Sequence, residues 1–124
     1  MKTTQYRYVY LFDVGKNVPV NKEEAVKYYK LAADKGNADA MNNYAIMLKK
    51  GDGVTANKEE ALKYFKMAAD KGNATAMNSY AIMLDNGIGV AVNKEEAVKY
   101  YKMAADKGKA TAMYNYAIML KKNS

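Results

Sequence analysis

The side chains in this chain that could do acid–base work are three adjacent carboxylate pairs, Glu23/Glu24, Glu59/Glu60 and Glu95/Glu96. A catalytic pair needs a buried cleft that shifts its pKa values. These pairs instead stand one turn into helical segments, with Lys27, Lys63 and Lys99 three or four residues on, the spacing of surface ion pairs. Gly51-Asp52-Gly53 and Gly87-Ile88-Gly89 look like pieces of a phosphate-cradling loop, yet no Lys-Ser/Thr follows them, so they read as helix ends. Asn73-Ala74-Thr75 is a glycosylation sequon, relevant only to a secreted protein. Histidine and cysteine are absent, which removes the usual general base, the commonest metal ligand and any disulfide. We therefore expect no enzyme activity, no metal and no cofactor.

The elements that carry these residues are set by a 36-residue repeat. NKEEAVKYYKLAADKG begins at Asn21, NKEEALKYFKMAADKG at Asn57 and NKEEAVKYYKMAADKG at Asn93. Residues 21 to 56 match residues 57 to 92 at 26 of 36 positions, and residues 57 to 88 match 93 to 124 at 23 of 32. A fixed period of this size indicates a solenoid, in which each unit buries its apolar face only against its neighbours. Asn21, Asn57 and Asn93 are N-cap residues, with Glu24, Glu60 and Glu96 placed to complete a capping box. Gly36, Gly72 and Gly108 end that helix, and Asn37 or Asn73 starts the next one, which ends near Gly51 or Gly87. In the first helix of a hairpin Met41, Tyr44, Ala45 and Leu48 form an i, i+3, i+4, i+7 stripe; in the second, Ala61, Tyr64, Phe65 and Ala68 do so. These stripes are the expected core. At the N-terminus Tyr8 falls in register with Tyr44, and Gly15 and Val18 with Gly51 and Val54, so residues 3 to 14 read as a degenerate first helix. The expected fold is all-α: a right-handed α/α solenoid of about 3.5 hairpins and seven helices. It forms one domain, with a degenerate repeat over 1–36, repeats over 37–72 and 73–108, and a final half repeat over 109–124.

The net charge of +7 on 124 residues raises the question of nucleic acid. By segment it is +2 over 1–20, +1 over 21–56, 0 over 57–92 and +4 over 93–124. A stripe tracking a phosphate backbone should run along the whole array, whereas this excess sits at the ends. No run is long and apolar enough to span a membrane, and the N-terminal stretch, interrupted by Arg7, builds no signal-peptide core. With cysteine absent, a cytoplasmic location is the expectation.

The motif A-x-x-x-[YL]-[GA]-x-x-[YL]-x-x-G-x-G-V-x-x-[DN]-x-x-x-A-x-x-[WY]-[YF]-x-x-A-A-x-x-G resembles the Sel-one-like repeat, a relative of the tetratricopeptide repeat. Here it is carried by Ala40, Tyr44, Ala45, Leu48, Gly51, Gly53, Val54, Asn57, Ala61, Tyr64, Phe65, Ala68, Ala69 and Gly72, and it recurs one period later. The chain departs from the pattern in Ala for Gly in the first helix, Leu48 for an aromatic and Tyr64 for Trp, all conservative for packing. The resemblance implies an α/α superhelix acting as a scaffold or adaptor for protein complexes. Some members are secreted and cross-linked by cysteines, and this chain has none.

Opposite the core stripe, the first helix of each hairpin carries Asp39, Asn42, Asn43, Ile46 and Lys49; then Asn78, Ser79, Ile82 and Asp85; then Tyr114, Asn115, Ile118 and Lys121. The resemblance implies that this helix faces inward, so these positions are expected to line the concave surface and to bind a protein or an extended peptide. Amides can donate to and accept from a peptide backbone, isoleucines give apolar contact, and the terminal lysines favour an acidic end on the ligand. Two other readings compete. An RNA-binding helical repeat would use Asn43, Ser79 and Asn115 at one base per repeat. An architectural module would stack end to end through Met113, Tyr116, Ala117 and Leu120, which no second helix covers, giving a homo-oligomer.

Overall fold

The computed structural model describes residues 19–122. Over them run six helices: α1 Lys22–Asp34, α2 Ala38–Lys50, α3 Lys58–Asp70, α4 Ala74–Asn86, α5 Lys94–Asp106 and α6 Ala110–Lys122. The helix expected over 3–14 lies outside the described residues.

The first five helices, α1 to α5, start where an asparagine cap places them. The side-chain oxygens of Asn21, Asn57 and Asn93 accept from the amides of Glu24, Glu60 and Glu96 at 3.0–3.1 Å, and those of Asn37 and Asn73 accept from Ala40 and Ala76 at 2.8 Å. Each cap is worth about 1 kcal/mol. Only half of the expected capping box is made, because among the described residues no glutamate returns a bond to its asparagine. α2 and α4 end on the left-handed Gly51 and Gly87, whose amides bond back to Met47 and Met83. The next amide, of Asp52 or Ile88, reaches the same carbonyl.

The most extensive helix packing joins α2 to α3 and α4 to α5 across the Gly-x-Gly turns; α1·α2, α3·α4 and α5·α6 follow. The expected stripes are the core. Met41, Tyr44, Ala45 and Leu48 are buried, as are Ala61, Tyr64, Phe65 and Ala68. Ala45, Ala61, Ala81 and Ala97 have no exposed surface, so helix backbones approach closely at these columns while tyrosines fill the space beside them. Tyr44 meets Tyr64 edge to face with ring centroids 4.8 Å apart, and Tyr80 meets Tyr100 in the same way. Such pairs add about 0.5–1.5 kcal/mol beyond their burial.

The Gly-x-Gly turns do more than end a helix. A Cβ on Gly53 would sit 2.7 Å from the carbonyl carbon and oxygen of Lys22, and one on Gly89 would sit 2.9 Å from those of Lys58. The second glycine therefore lets the turn rest on the start of the preceding second helix, which locks one hairpin against the last.

The surface ion pairs differ from those expected. Lys30–Asp34, Lys66–Asp70 and Lys102–Asp106 pair at i,i+4, each at 3.0 Å. Lys27, Lys63 and Lys99 make no bond to the glutamates and lie over the rings of Tyr28, Tyr64 and Tyr100 at 5.7–6.0 Å. The aspartates supply carboxylates at the helix ends, and the large tyrosine rings give these lysine stems a surface to cover.

Candidate functional site

The residues expected on the exposed stripe of the first helices do not all face solvent. Ile46, Ile82 and Ile118 are partly buried at matching positions, as are Asn43, Ser79 and Asn115. Tyr114 is 69% exposed, and Lys121 is exposed as well. Asn42 and Asn78 depart from the expectation. Both are only 7% exposed: Asn78 lies in the seam between α4 and α6, bonded to Thr111 and Asn115 of α6, and Asn42 holds the equivalent position one period earlier.

Side-chain bonds define that seam. Asn73 Nδ2 donates to Asp39 Oδ1 at 2.9 Å, tying α4 to α2. Between α4 and α6, Asn115 Nδ2 donates to Asn78 Oδ1 at 3.2 Å, and Asn78 Nδ2 donates to Thr111 Oγ1 at 3.5 Å. Tyr114, the counterpart of Asn78 in the last repeat, is exposed because no further first helix among the described residues covers it.

Lys49 and Asp85 differ in role although they share a position. Asp85 is engaged within the fold: it accepts from the Tyr101 hydroxyl at 3.2 Å and pairs with Lys94. Burial, with the Asp85 carboxylate beside it, pushes the Tyr101 phenol far above its usual pKa near 10. Asp85 is thus a structural acceptor before it is a ligand group, a correction to its place among freely presented residues. On the second-helix side Tyr64 donates to Asp34 at 3.3 Å, and the Lys30 ammonium holds the Asp34 carboxyl below the usual range.

Among the described residues no group of three or more Asp, Glu, His or Cys could hold a metal ion. No helix among them is long and apolar enough to cross a membrane. At the end of the described row Met113 is 48% and Leu120 51% exposed, with Ala117 exposed and Tyr116 partly so, since no further helix among the described residues covers them.

Two adjacent rows of short antiparallel helices, each repeat packing only on its neighbours, define an α/α solenoid of tetratricopeptide-like hairpins. Within that class the chain belongs to the Sel1 repeat family, whose model matches residues 4–37, 38–73 and 74–109. A Sel1 repeat protein from Oxalobacter formigenes superposes with a TM-score of 0.76 at 33% identity, over 79% of this chain and 39% of that one. A protective antigen of uropathogenic Escherichia coli displaying an SLR fold superposes with a TM-score of 0.80 at 31% identity, over 82% of this chain and 22% of that one. Cysteine-rich protein B of Helicobacter pylori shares the fold, with a TM-score of 0.72 at 20% identity over 76% of this chain and 71% of that one. No curated protein matches the sequence. The chain thus spans well under half the length of the first two of these relatives. Sel1 repeats in general serve as protein-interaction scaffolds.

Proposed function

We propose that this chain is a non-catalytic scaffold or adaptor module that binds an extended peptide segment of a protein partner along the first helices α2, α4 and α6, the concave face of the solenoid. The observation that carries this reading is where the repeats differ. Of the thirteen positions in these helices, eight are identical in all three copies and five vary. The variable ones are Asp39/Thr75/Thr111, Asn42/Asn78/Tyr114, Asn43/Ser79/Asn115, Lys49/Asp85/Lys121 and Lys50/Asn86/Lys122. At about 100° per residue they fall within one arc of about 120°, and the only invariant residue in that arc is the isoleucine at 46, 82 and 118.

A solenoid that only needed to fold could keep one residue type at each of these positions, as it does around the rest of the helix. Variation confined to one stripe, centred on a repeated apolar contact, is the pattern of a surface that presents a different group to each successive ligand residue. The amides suit a peptide backbone, and Lys49, Lys50, Lys121 and Lys122 favour carboxylates on the ligand.

The test uses a phage-displayed library of short random peptides panned against the full chain. Lys50→Glu, Tyr114→Ala and Lys122→Glu together alter exposed stripe positions without touching the core. We expect unchanged helicity and loss of binding to the selected peptides. The control Lys27→Glu with Lys99→Glu, on the second helices, should retain binding. Retained binding by the first variant and loss by the second would move the site to the opposite row.

A further inference from the structure

Side-chain amides tie the first helices at both seams, through Asn73 and Asp39 between α4 and α2 and through Asn78 between α4 and α6, but the tie centred on Asn78 has no counterpart at Asn42. Between α4 and α6, Asn78 uses both ends of its amide, accepting from Asn115 and donating to Thr111. Asn42 holds the same place between α2 and α4, one period earlier and equally buried. The counterpart of Asn115 at that seam is Ser79. A serine side chain ends one bond beyond Cβ, whereas the asparagine amide nitrogen lies two bonds beyond it, so the serine falls short. Asn42 Oδ1 is accordingly the one buried side-chain nitrogen or oxygen among the described residues with no hydrogen-bond partner. Native interiors seldom leave such a group unpaired, because it has given up its water and received nothing in return.

We propose that the Asn42–Ser79 seam is a recognition position for a primary carboxamide on the partner: a Gln or Asn side chain that enters over Ser79 and donates to Asn42 Oδ1, as Asn115 donates to Asn78. This site lies on the stripe assigned above to peptide binding and has meaning only if that stripe binds peptide. Position, size and polarity all select the carboxamide. Ser79 is partly exposed beside the partly exposed Asn43 and Ile82, so a ligand side chain can reach it from the stripe. The serine leaves unfilled the group that Asn115 supplies one repeat later. The unpaired atom is an acceptor, so a ligand carboxylate would set oxygen against oxygen and an aliphatic side chain would leave it unpaired. Asn42 Oδ1 is sealed from water in the free chain. The carboxamide therefore reaches it only as the seam parts at Ser79, which makes the bond a property of the bound state.

The experiment compares the full chain with Ser79→Asn and Ser79→Ala, using peptides selected from the same phage-displayed library and then synthesised. Peptides selected on the parent should share a Gln or Asn at one position, and replacing it by Glu or Leu should weaken binding by about tenfold or more. Ser79→Asn supplies the donor internally, so it should melt about 3–5 °C higher and bind the Gln, Glu and Leu peptides within about twofold of one another. Ser79→Ala removes the hydroxyl without filling the space and should keep the parent's preference. Selected peptides with no shared carboxamide, or Ser79→Asn no more stable than the parent, would overturn this assignment while leaving the stripe as a peptide site. Failure of the parent to select any peptide would overturn both.

Discussion

Phe65 and Tyr101 hold the same place in successive repeats, 1% and 2% exposed, and they differ by one hydroxyl that the fold either pairs or omits. In the later repeat Tyr101 donates to Asp85. In the earlier one the acceptor position is Lys49, and the ring carries no hydroxyl. Phe65→Tyr alone therefore buries a phenol with no carboxylate to receive it, a loss of about 1–3 kcal/mol. Lys49→Asp alone exchanges one partly buried charge for another, with Lys58 standing where Lys94 stands beside Asp85, and should stay within about 1 kcal/mol of the parent. Together the two rebuild the Tyr101–Asp85 contact, and a hydrogen bond to a charged acceptor contributes about 1.5–3 kcal/mol. The double variant should recover most of the loss, with a coupling energy of about 1–2 kcal/mol. Urea unfolding followed by circular dichroism at neutral pH gives the four stabilities of the cycle. Additivity within about 0.5 kcal/mol would show that the hydroxyl and the carboxylate do not depend on each other, and the reasoning would fail.

The turns, the core and the tyrosines offer further tests. Gly108→Ala meets nothing within 4 Å and bears only its positive φ of 93°, for about 1–2 kcal/mol, whereas Gly53→Ala also drives a methyl into the Lys22 carbonyl and should lose about 2–5 kcal/mol. Equal losses in urea would mean that the turn does not rest on α1. Tyr64→Ala should lose about 3–5 kcal/mol and Lys63→Ala less than about 0.5 kcal/mol; similar melting of the two variants would reverse the assigned faces. Burial raises the pKa of Tyr44, Tyr64 and Tyr80 above 10.0. The unfolded chain then ionises first, so the stabilisation is whole below about pH 10 and falls as pH climbs through the raised values, by about 1.4 kcal/mol per pH unit for each tyrosine. Absorbance at about 295 nm should report ionisation of these residues together with loss of helicity. Ionisation near pH 10 with helicity intact would show them to be exposed.

Caps, turns and core stripes could be read from the sequence because each is a local pattern printed several times over. Asn57 before Glu60, Gly72 before Asn73, and Tyr44 four residues before Leu48 fix where a helix begins, where it ends and which way it faces. The burial of Asn42 and Asn78 was not legible in the same way. Periodicity within a helix separates apolar from polar faces, but it does not reveal that part of the polar face is covered by the next helix of the same row. A signal was present nonetheless. The position holds Asn in α2 and α4 and Tyr114 in α6, where no later first helix covers it among the described residues, so the change of type marks the seam. The lysine pairs went astray for a different reason. Glu23 and Lys27 have the correct spacing, but so do Lys30 and Asp34, and the choice between such weak pairs is made by the tyrosine rings that the folded surface places under Lys27, Lys63 and Lys99.

The magnitudes also explain how the stripe can vary while the fold does not. Lys22 pairs with Asp52 in the turn that follows, and Lys94 pairs with Asp85 in the helix before it. Lys58, their counterpart, finds Ile88 and Lys49 at those two positions and has no carboxylate partner among the described residues. Exposed pairs of this kind contribute about 0–1 kcal/mol, less than the burial of one large side chain, and the same repeat contains Phe65, one of the largest fully buried side chains in the protein. The central repeat therefore loses little by lacking them. Stability resides in the nearest-neighbour apolar contacts of Ala45, Ala61, Tyr64 and Tyr80, positions that hold the same residue type in every copy. The Asn78–Asn115 tie is worth about 1 kcal/mol, less than the about 3–5 kcal/mol of a large core side chain, so the fold survives when the next seam leaves that tie open. Such a division lets substitutions at 43, 79 and 115 change what the surface offers a partner at a small fraction of the cost of any change at 44, 80 or 116.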